Sequence, residues 1–219
     1  MAVLSDILAR VKFRSGSKTG ADSQVTANIN EATRHTILRA RPQEMQTTAT
    51  FATSSGTSSY AFSTIATDLL AVLYVRDNTD DVPLLRGDIE HFNRLQQDTS
   101  DTSNLGDPRR WTRQGNNLIL YSKIPDGTSR TIKLTYLKDF TDLVNSGDTF
   151  PLNEEWLLPV EQYASALTML DLNAEAKASA KFAVYEQMIS SRESPKGIED
   201  ESSWSQMYPI SNTGINSDF

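Results

Sequence analysis

The chain reads as an α+β protein: a small helical bundle from both chain ends, an inserted antiparallel β subdomain and an extended C-terminal arm. Three observations predict this. Apolar residues recur at helical spacing near both ends. The middle alternates short strand-like runs with turn formers. After Ser194-Pro195 the periodicity stops. The corresponding divisions are 1–45, 46–138, 139–194 and 195–219.

Leu4, Ile7, Leu8 and Val11 stand at i, i+3, i+4 and i+7, which predicts a helix from about Ser5 to Phe13. Arg14 to Gly20 is a Ser/Gly/Lys loop. Thr19-Gly-Ala-Asp22 has the form of a capping box opening a second helix, with Val25, Ile29 and Ala32 on one face. Arg39 and Arg41 suit its C-terminal end, and Pro42 stops it.

From Gln46 to Tyr74 threonine, serine and alanine dominate. Thr47, Thr48, Thr50, Phe51 and Tyr60 carry a strand signal around a Ser54-Ser-Gly56 turn. Leu69 to Val75 is an apolar run fit for a buried strand, Arg76 to Asp81 a hairpin-like loop, and Val82 to Leu84 its return strand. Leu85, Ile89, Phe92 and Leu95 predict a short helix. Gln96 to Asp107 is polar and reads as an exposed loop.

The stretch Gly106–Tyr136 reads as a three-stranded antiparallel meander: Arg110 to Arg113, Asn117 to Tyr121 and Arg130 to Tyr136. Gln114-Gly-Asn-Asn and Pro125-Asp-Gly-Thr supply the turns. In the last strand Ile132, Leu134 and Tyr136 alternate with Lys133 and Thr135, so one face is apolar and the other wet. Lys138 to Phe150 is an irregular link. Asn153 is placed to cap a helix whose first turn holds Glu154 and Glu155, with Trp156, Val160, Tyr163, Leu167 and Leu170 on its face. Pro159 either kinks it or marks its true first turn. Asn173 opens a last helix with Ala178, Phe182, Tyr185 and Ile189 on one side. Since no helix is long or apolar enough alone, the terminal helices are expected to pack on each other.

Composition narrows function. At 219 residues the chain suits one domain with an inserted subdomain, or two small domains. A net charge of -7 argues against coating duplex nucleic acid. With no cysteine, disulfides, thiolate nucleophiles and zinc–thiolate sites are excluded. The N-terminus lacks the charged lead and apolar core of a signal peptide, and no run reaches the roughly 18 apolar residues of a membrane span. The chain is therefore expected to be soluble and not secreted. An apolar share of 38% is low for a self-contained globule, which fits surface buried against partner subunits.

No cofactor, metal or catalytic site is expected. His35 and His91 stand alone on helices, His35 spaced to meet Glu31. No Ser-His-Asp order, HExxH or phosphate-cradling loop occurs. Glu154-Glu155 is read as compensation of a helix dipole. Asp77, Asp80 and Asp81 offer the hard oxygens calcium takes, but without the spacing of a calcium loop, so a surface turn is expected. Arg109, Arg110 and Arg113 flank Trp111 as in single-strand binders. Strand alternation splits them over two faces, so subunit or partner contacts fit better. The arm spaces out Trp204, Met207, Tyr208, Ile210 and Phe219, residue types that interfaces use as anchors, and it reads as a segment that orders on a neighbouring protein.

A family resemblance follows from the order of these motifs. Asp6-Ile-Leu-Ala-Arg-Val and Ile29-Asn-Glu-Ala-Thr-Arg resemble the opening of the head-to-tail adaptors (head-completion, tail accessory factors) of tailed bacteriophages. Gly106-Asp-Pro, Leu118-Ile-Leu, Pro125-Asp-Gly and Ile132-Lys-Leu-Thr-Tyr are similar to that family's central strands. Leu152-Asn-Glu-Glu-Trp and Tyr163-Ala-Ser-Ala-Leu match its closing helices. The likeness covers about residues 4–190; Tyr60-Ala-Phe-Ser is only a partial match, and the arm lies beyond it. The resemblance implies a non-enzymatic virion protein at the head–tail junction, assembled in the host cytoplasm. It implies a homo-oligomeric ring, twelve-fold like the portal protein above it. Such a ring extends the channel through which packaged DNA passes unbound, and offers a platform to tail or neck proteins, with no membrane contact. An acidic chain suits a channel wall that must not grip DNA. A β-rich carbohydrate- or receptor-binding virion module is the alternative; it requires exposed aromatics along one sheet face, with Tyr60, Trp111 and Tyr121 as the available ones. A hydrolase using acidic pairs has no support beyond the number of acids.

Overall fold

Helical spacing at the chain ends becomes buried stripes. The computed structural model describes residues 2–17, 20–95 and 102–191. In chain order its elements are α1 (Leu4–Ser15), α2 (Asp22–Ala40), β1 (Gln46–Ala52), β2 (Ser59–Ala61), α3 (Phe62–Ile65), β3 (Leu69–Asp77), β4 (Val82–Pro83), β5 (Leu85–Arg86), α4 (Ile89–Leu95), β6 (Leu105–Gly106), β7 (Arg110–Gln114), β8 (Asn117–Tyr121), β9 (Ile124–Pro125), β10 (Thr131–Lys138), α5 (Leu157–Asp171) and α6 (Glu175–Ser190). The class is α+β, with helices at both ends and sheets between.

Helix α1 buries Leu4, Ile7 and Val11, and ends on Gly16 in the left-handed region, which a residue without Cβ adopts freely. Helix α2 buries Val25, Ile29, Ala32 and Ile37. Its buried Thr33 and Thr36 hydroxyls donate to the carbonyls of Ile29 and Ala32, so neither is left unsatisfied. No side chain caps α2: Ala21 holds the N-cap position, and Thr19 of the expected capping box lies outside the described residues. Helix α5 packs against α1, α2 and α6. Surrounded in this way, it buries polar as well as apolar positions, and Ser165 and Thr168 donate to their own helix at Glu161 and Ala164. Pro159 sits in its first turn, where a missing N–H costs nothing. Asn153 precedes the short 3-10 turn Glu154–Trp156 without a side-chain cap; instead its N–H donates to Glu44. Leu170 lies exposed rather than on the buried face, and Asn173 is a left-handed linker between α5 and α6 rather than the start of a helix. On α6 the expected Ala178, Tyr185 and Ile189 are buried and Phe182 half-buried.

The β region departs from the expected meander. Strands β7 and β8 pair antiparallel, but β10 leaves them for another sheet. The first sheet has the order β1-β10-β3-β4 and the second β2-β8-β7-β5. The chain escapes at Ser122, which has a φ of 77°, and then pairs β9 with β6 in parallel. The threonine-rich stretch is divided likewise: β1 joins the first sheet and β2 the second, so the Ser54-Ser-Gly56 turn connects sheets and closes no hairpin. The expected hairpin at Arg76–Asp81 does form, with Asp77 opposite Val82. Leu85, expected on a helix, is in β5, paired parallel to β7.

Two register shifts between β10 and β3 leave Leu70 and Leu73 with no partner across the ladder. These bulges rotate the strand, so Leu69, Val72 and Val75, three apart rather than two, share one face. That face joins Trp111, Leu118, Leu120, Ile132 and Leu134 in a core between the two sheets. Leu70, Ala71 and Leu73 turn the other way and pack on the helical core with Trp156, Val160 and Tyr185. The alternation expected on β10 holds, with Ile132, Leu134 and Tyr136 buried. The first sheet is thus the layer shared by helices and second sheet.

Candidate assembly surfaces

The 139–150 link is held to the bundle by polar side chains. Buried Asn30 donates to the carbonyl of Leu143 at 3.1 Å and accepts its N–H at 3.0 Å, as a strand neighbour would. Arg34 bonds Asp139 at 3.0 Å and Asp142 at 2.7 Å, with its guanidinium 5.0 Å from the Phe140 ring centre. Asp148 accepts the N–H groups of Val144 and Asn145, which hold its carboxyl below the usual range. Between α1, α2 and this link runs a groove of about 1120 Å³ lined by Leu8, Ala9, Thr26, Ala27, Leu143 and Val144. Val144 beside it is 74% exposed, and Phe13 on α1 is 89% exposed.

At the far end of the sheets, Arg130 is the centre of a charge cluster. Its Nη1 bonds Asp77 at 2.9 Å and also Asp80, while Nη2 meets Asp107. The hydrogen bond that Arg130 donates to Asp80 leads the effects that raise its pKa, so the guanidinium stays charged at any working pH. The expected surface turn at Asp77, Asp80 and Asp81 is therefore only half of the story: Asp77 and Asp80 hold a buried arginine. In sequence Arg130 stands at a strand start, and nothing in the local spacing joins it to acids roughly 23 and 50 residues away. Among the described residues no group of three or more His, Asp or Glu side chains is arranged to hold a metal ion.

Arg109, Arg110 and Arg113 are separated as strand alternation requires. Arg113 donates to the Gly115 carbonyl at 2.9 Å and lies 5.4 Å from the Phe62 ring centre. Arg110 stands opposite Tyr121, and Arg109 meets Asp107 at 3.8 Å. They form no single basic patch. Trp111 and Tyr121 are buried on opposite faces of the second sheet, Trp111 in the inter-sheet core and Tyr121 against Phe92 and His91. This overturns the exposed aromatic face on which a carbohydrate binder would depend, leaving only half-buried Tyr60. Trp204, Met207, Tyr208, Ile210 and Phe219 lie outside the described residues.

His35 is a packed side chain. It stacks on Tyr163 with ring centres 4.3 Å apart, and its Nδ1 lies 2.9 Å from the Tyr185 hydroxyl. Burial lowers its pKa from 6.5 and pushes the Tyr185 hydroxyl up to about 12, so that hydroxyl remains a donor to neutral imidazole. Glu161, buried on α5, is bonded by Arg10 at 3.2 Å and Arg14 at 3.1 Å from α1.

Among the described residues no helix is long and apolar enough to cross a membrane. No curated protein matches the chain. The family model described as SU10 adaptor protein matches residues 4–210, nearly the whole chain and well past the last described helix. The helix–sheet–helix chain thus belongs to the SU10 adaptor protein family, a family of bacteriophage adaptors.

Proposed function

We propose that the protein is the head-to-tail adaptor of a tailed phage. It assembles as a ring beneath the portal protein, twelve-fold to match it, and extends the DNA channel. The ring presents a platform to tail or neck proteins at the head–tail junction, after assembly in the host cytoplasm. The family match over residues 4–210 carries this reading. Subunits of a closed ring bury unlike side surfaces against each other, and the exposed Phe13 and Val144 are apolar groups of the kind such burial covers. A net charge of -7 fits a channel that lets packaged DNA pass without binding it.

The arm from Pro195 is the portal-binding element in this reading, with Trp204, Met207, Tyr208, Ile210 and Phe219 as anchors. The matched span includes all of these but Phe219. Arg109, which meets Asp107 at 3.8 Å, serves subunit or partner contacts together with Arg110 and Arg113. Removing residues 196–219 is expected to leave a folded protein that no longer sediments with portal rings. Normal co-sedimentation of the truncated chain would remove the arm from the account.

A further inference from the structure

The two sheets treat their edges differently. The second sheet ends in strands of three and two residues, β2 and β5, too short to template another chain. The first sheet ends in β1, seven residues long, and in β3, of which β4 covers only Arg76 and Asp77. Among the described residues, no backbone group of Thr47–Ala52 bonds beyond β10, and none of Leu69–Tyr74 bonds outward. Proteins usually guard such edges with charge or proline. Here Gln46–Ala52 and Leu69–Val75 contain neither.

The second edge is also apolar. Leu69, Leu70, Ala71, Val72 and Leu73 pack on both faces of the sheet, yet none is fully buried. Among the described residues no strand pairs along their outer side, where a further strand would lie. The bulges at Leu70 and Leu73 curve this edge, and curvature is what a sheet needs in order to bend around an axis.

We propose that these edges are the joint between copies of the chain: β1 of one subunit pairs with β3 of the next, continuing the first sheet from subunit to subunit. The inference rests on the ring reading above. The edges are unlike and lie at opposite ends of the three-strand unit β1-β10-β3, so joining them is head-to-tail and repeats, the condition for a ring. Both strands run antiparallel to β10, so they run parallel to each other, and the new ladder is a parallel one. It is short, because the bulges interrupt β3, and burial of the half-exposed leucines adds to its hydrogen bonds.

The absence of cysteine makes the test direct. Gln46 pairs with Leu137 and Leu137 with Ala71, which places Ala71 on the same sheet face as Gln46 and Thr48. Within one chain β1 and β3 are two strand spacings apart, roughly 10 Å, beyond the reach of a disulfide. Full-length Thr48→Cys/Ala71→Cys and Thr50→Cys/Ala71→Cys, oxidised under mild conditions with and without portal, are expected to give a ladder of covalent multimers in at least one register. The single variants are expected to stay monomeric on denaturing gels. Covalent dimers from Thr48→Cys alone would mean two-fold β1–β1 pairing and overturn the proposal. Wild-type rings on portal, with no ladder from either folded double variant, would overturn it while leaving the ring reading standing. A wild-type chain that is monomeric by mass measurement both alone and with portal would overturn the two together.

Discussion

Arg130 and Asp77, 53 residues apart in sequence, meet inside the sheets with Nη1 and Oδ2 separated by 2.9 Å. Their side chains are only 10% and 5% exposed. The pair ties the entry of β10 to the end of β3, and through Asp107 to the turn that leads into the second sheet. Breaking one side of such a pair leaves a buried charge with no counter-ion.

Arg130→Leu is therefore expected to destabilise the fold by about 3–5 kcal/mol, read from the midpoint of urea unfolding at constant slope. Asp80→Asn, at a partner 46% exposed, is expected to cost about 1 kcal/mol or less. Equal losses from the two variants would mean that Asp77 is not the partner that matters.

Gly87 is required by close approach rather than by backbone conformation. A Cβ there would lie 1.4 Å from the Tyr121 hydroxyl and 2.7 Å from its Cζ. Among the described residues that buried hydroxyl has no hydrogen-bond partner. Gly87→Ala is expected to cost about 1–3 kcal/mol. Tyr121→Phe is expected to be neutral or stabilising alone, since it removes an unsatisfied polar atom. Combined, it rescues Gly87→Ala in part, because the ring carbon remains. Additive effects in a thermal-unfolding double-mutant cycle would contradict this contact.

His35 supplies a pH dependence. Burial holds its folded-state pKa below 6.5, the ordinary value. Its contribution to stability is therefore complete above about 6.5 and is lost as pH falls from there through the folded-state pKa. Wild-type melting temperature is expected to decline over that window, and His35→Gln to flatten the decline. A slope unchanged by the substitution would place the titrating group elsewhere.

Much of the fold is legible in sequence where one periodicity governs. Leu4, Ile7 and Val11, or Ala178, Tyr185 and Ile189, mark buried helical faces because the surroundings agree with the pattern. The β region is harder because pairing is a non-local choice. Nothing in Pro125-Asp-Gly-Thr says that the next strand abandons β8 for β1 and β3; the left-handed Ser122 decides it. The apolar run Leu69–Val75 carries no alternation, since its bulges serve two cores at once. Arg130 gathers acids from two distant loops, a convergence that only the folded chain displays. Simple alternation puts Arg110 and Arg113 on two faces, and the pairing of Arg110 with Tyr121 and Arg113 with Leu118 follows it.

The proposed role requires that this protein build a ring onto the portal. Images of negatively stained portal, with and without the purified full-length chain, test it most directly. The account predicts one added ring of density on the tail-facing side, with the rotational symmetry of the portal and a central channel left open. Portal particles unchanged by a saturating excess of the folded chain, or density that plugs the channel as a monomer, would contradict it.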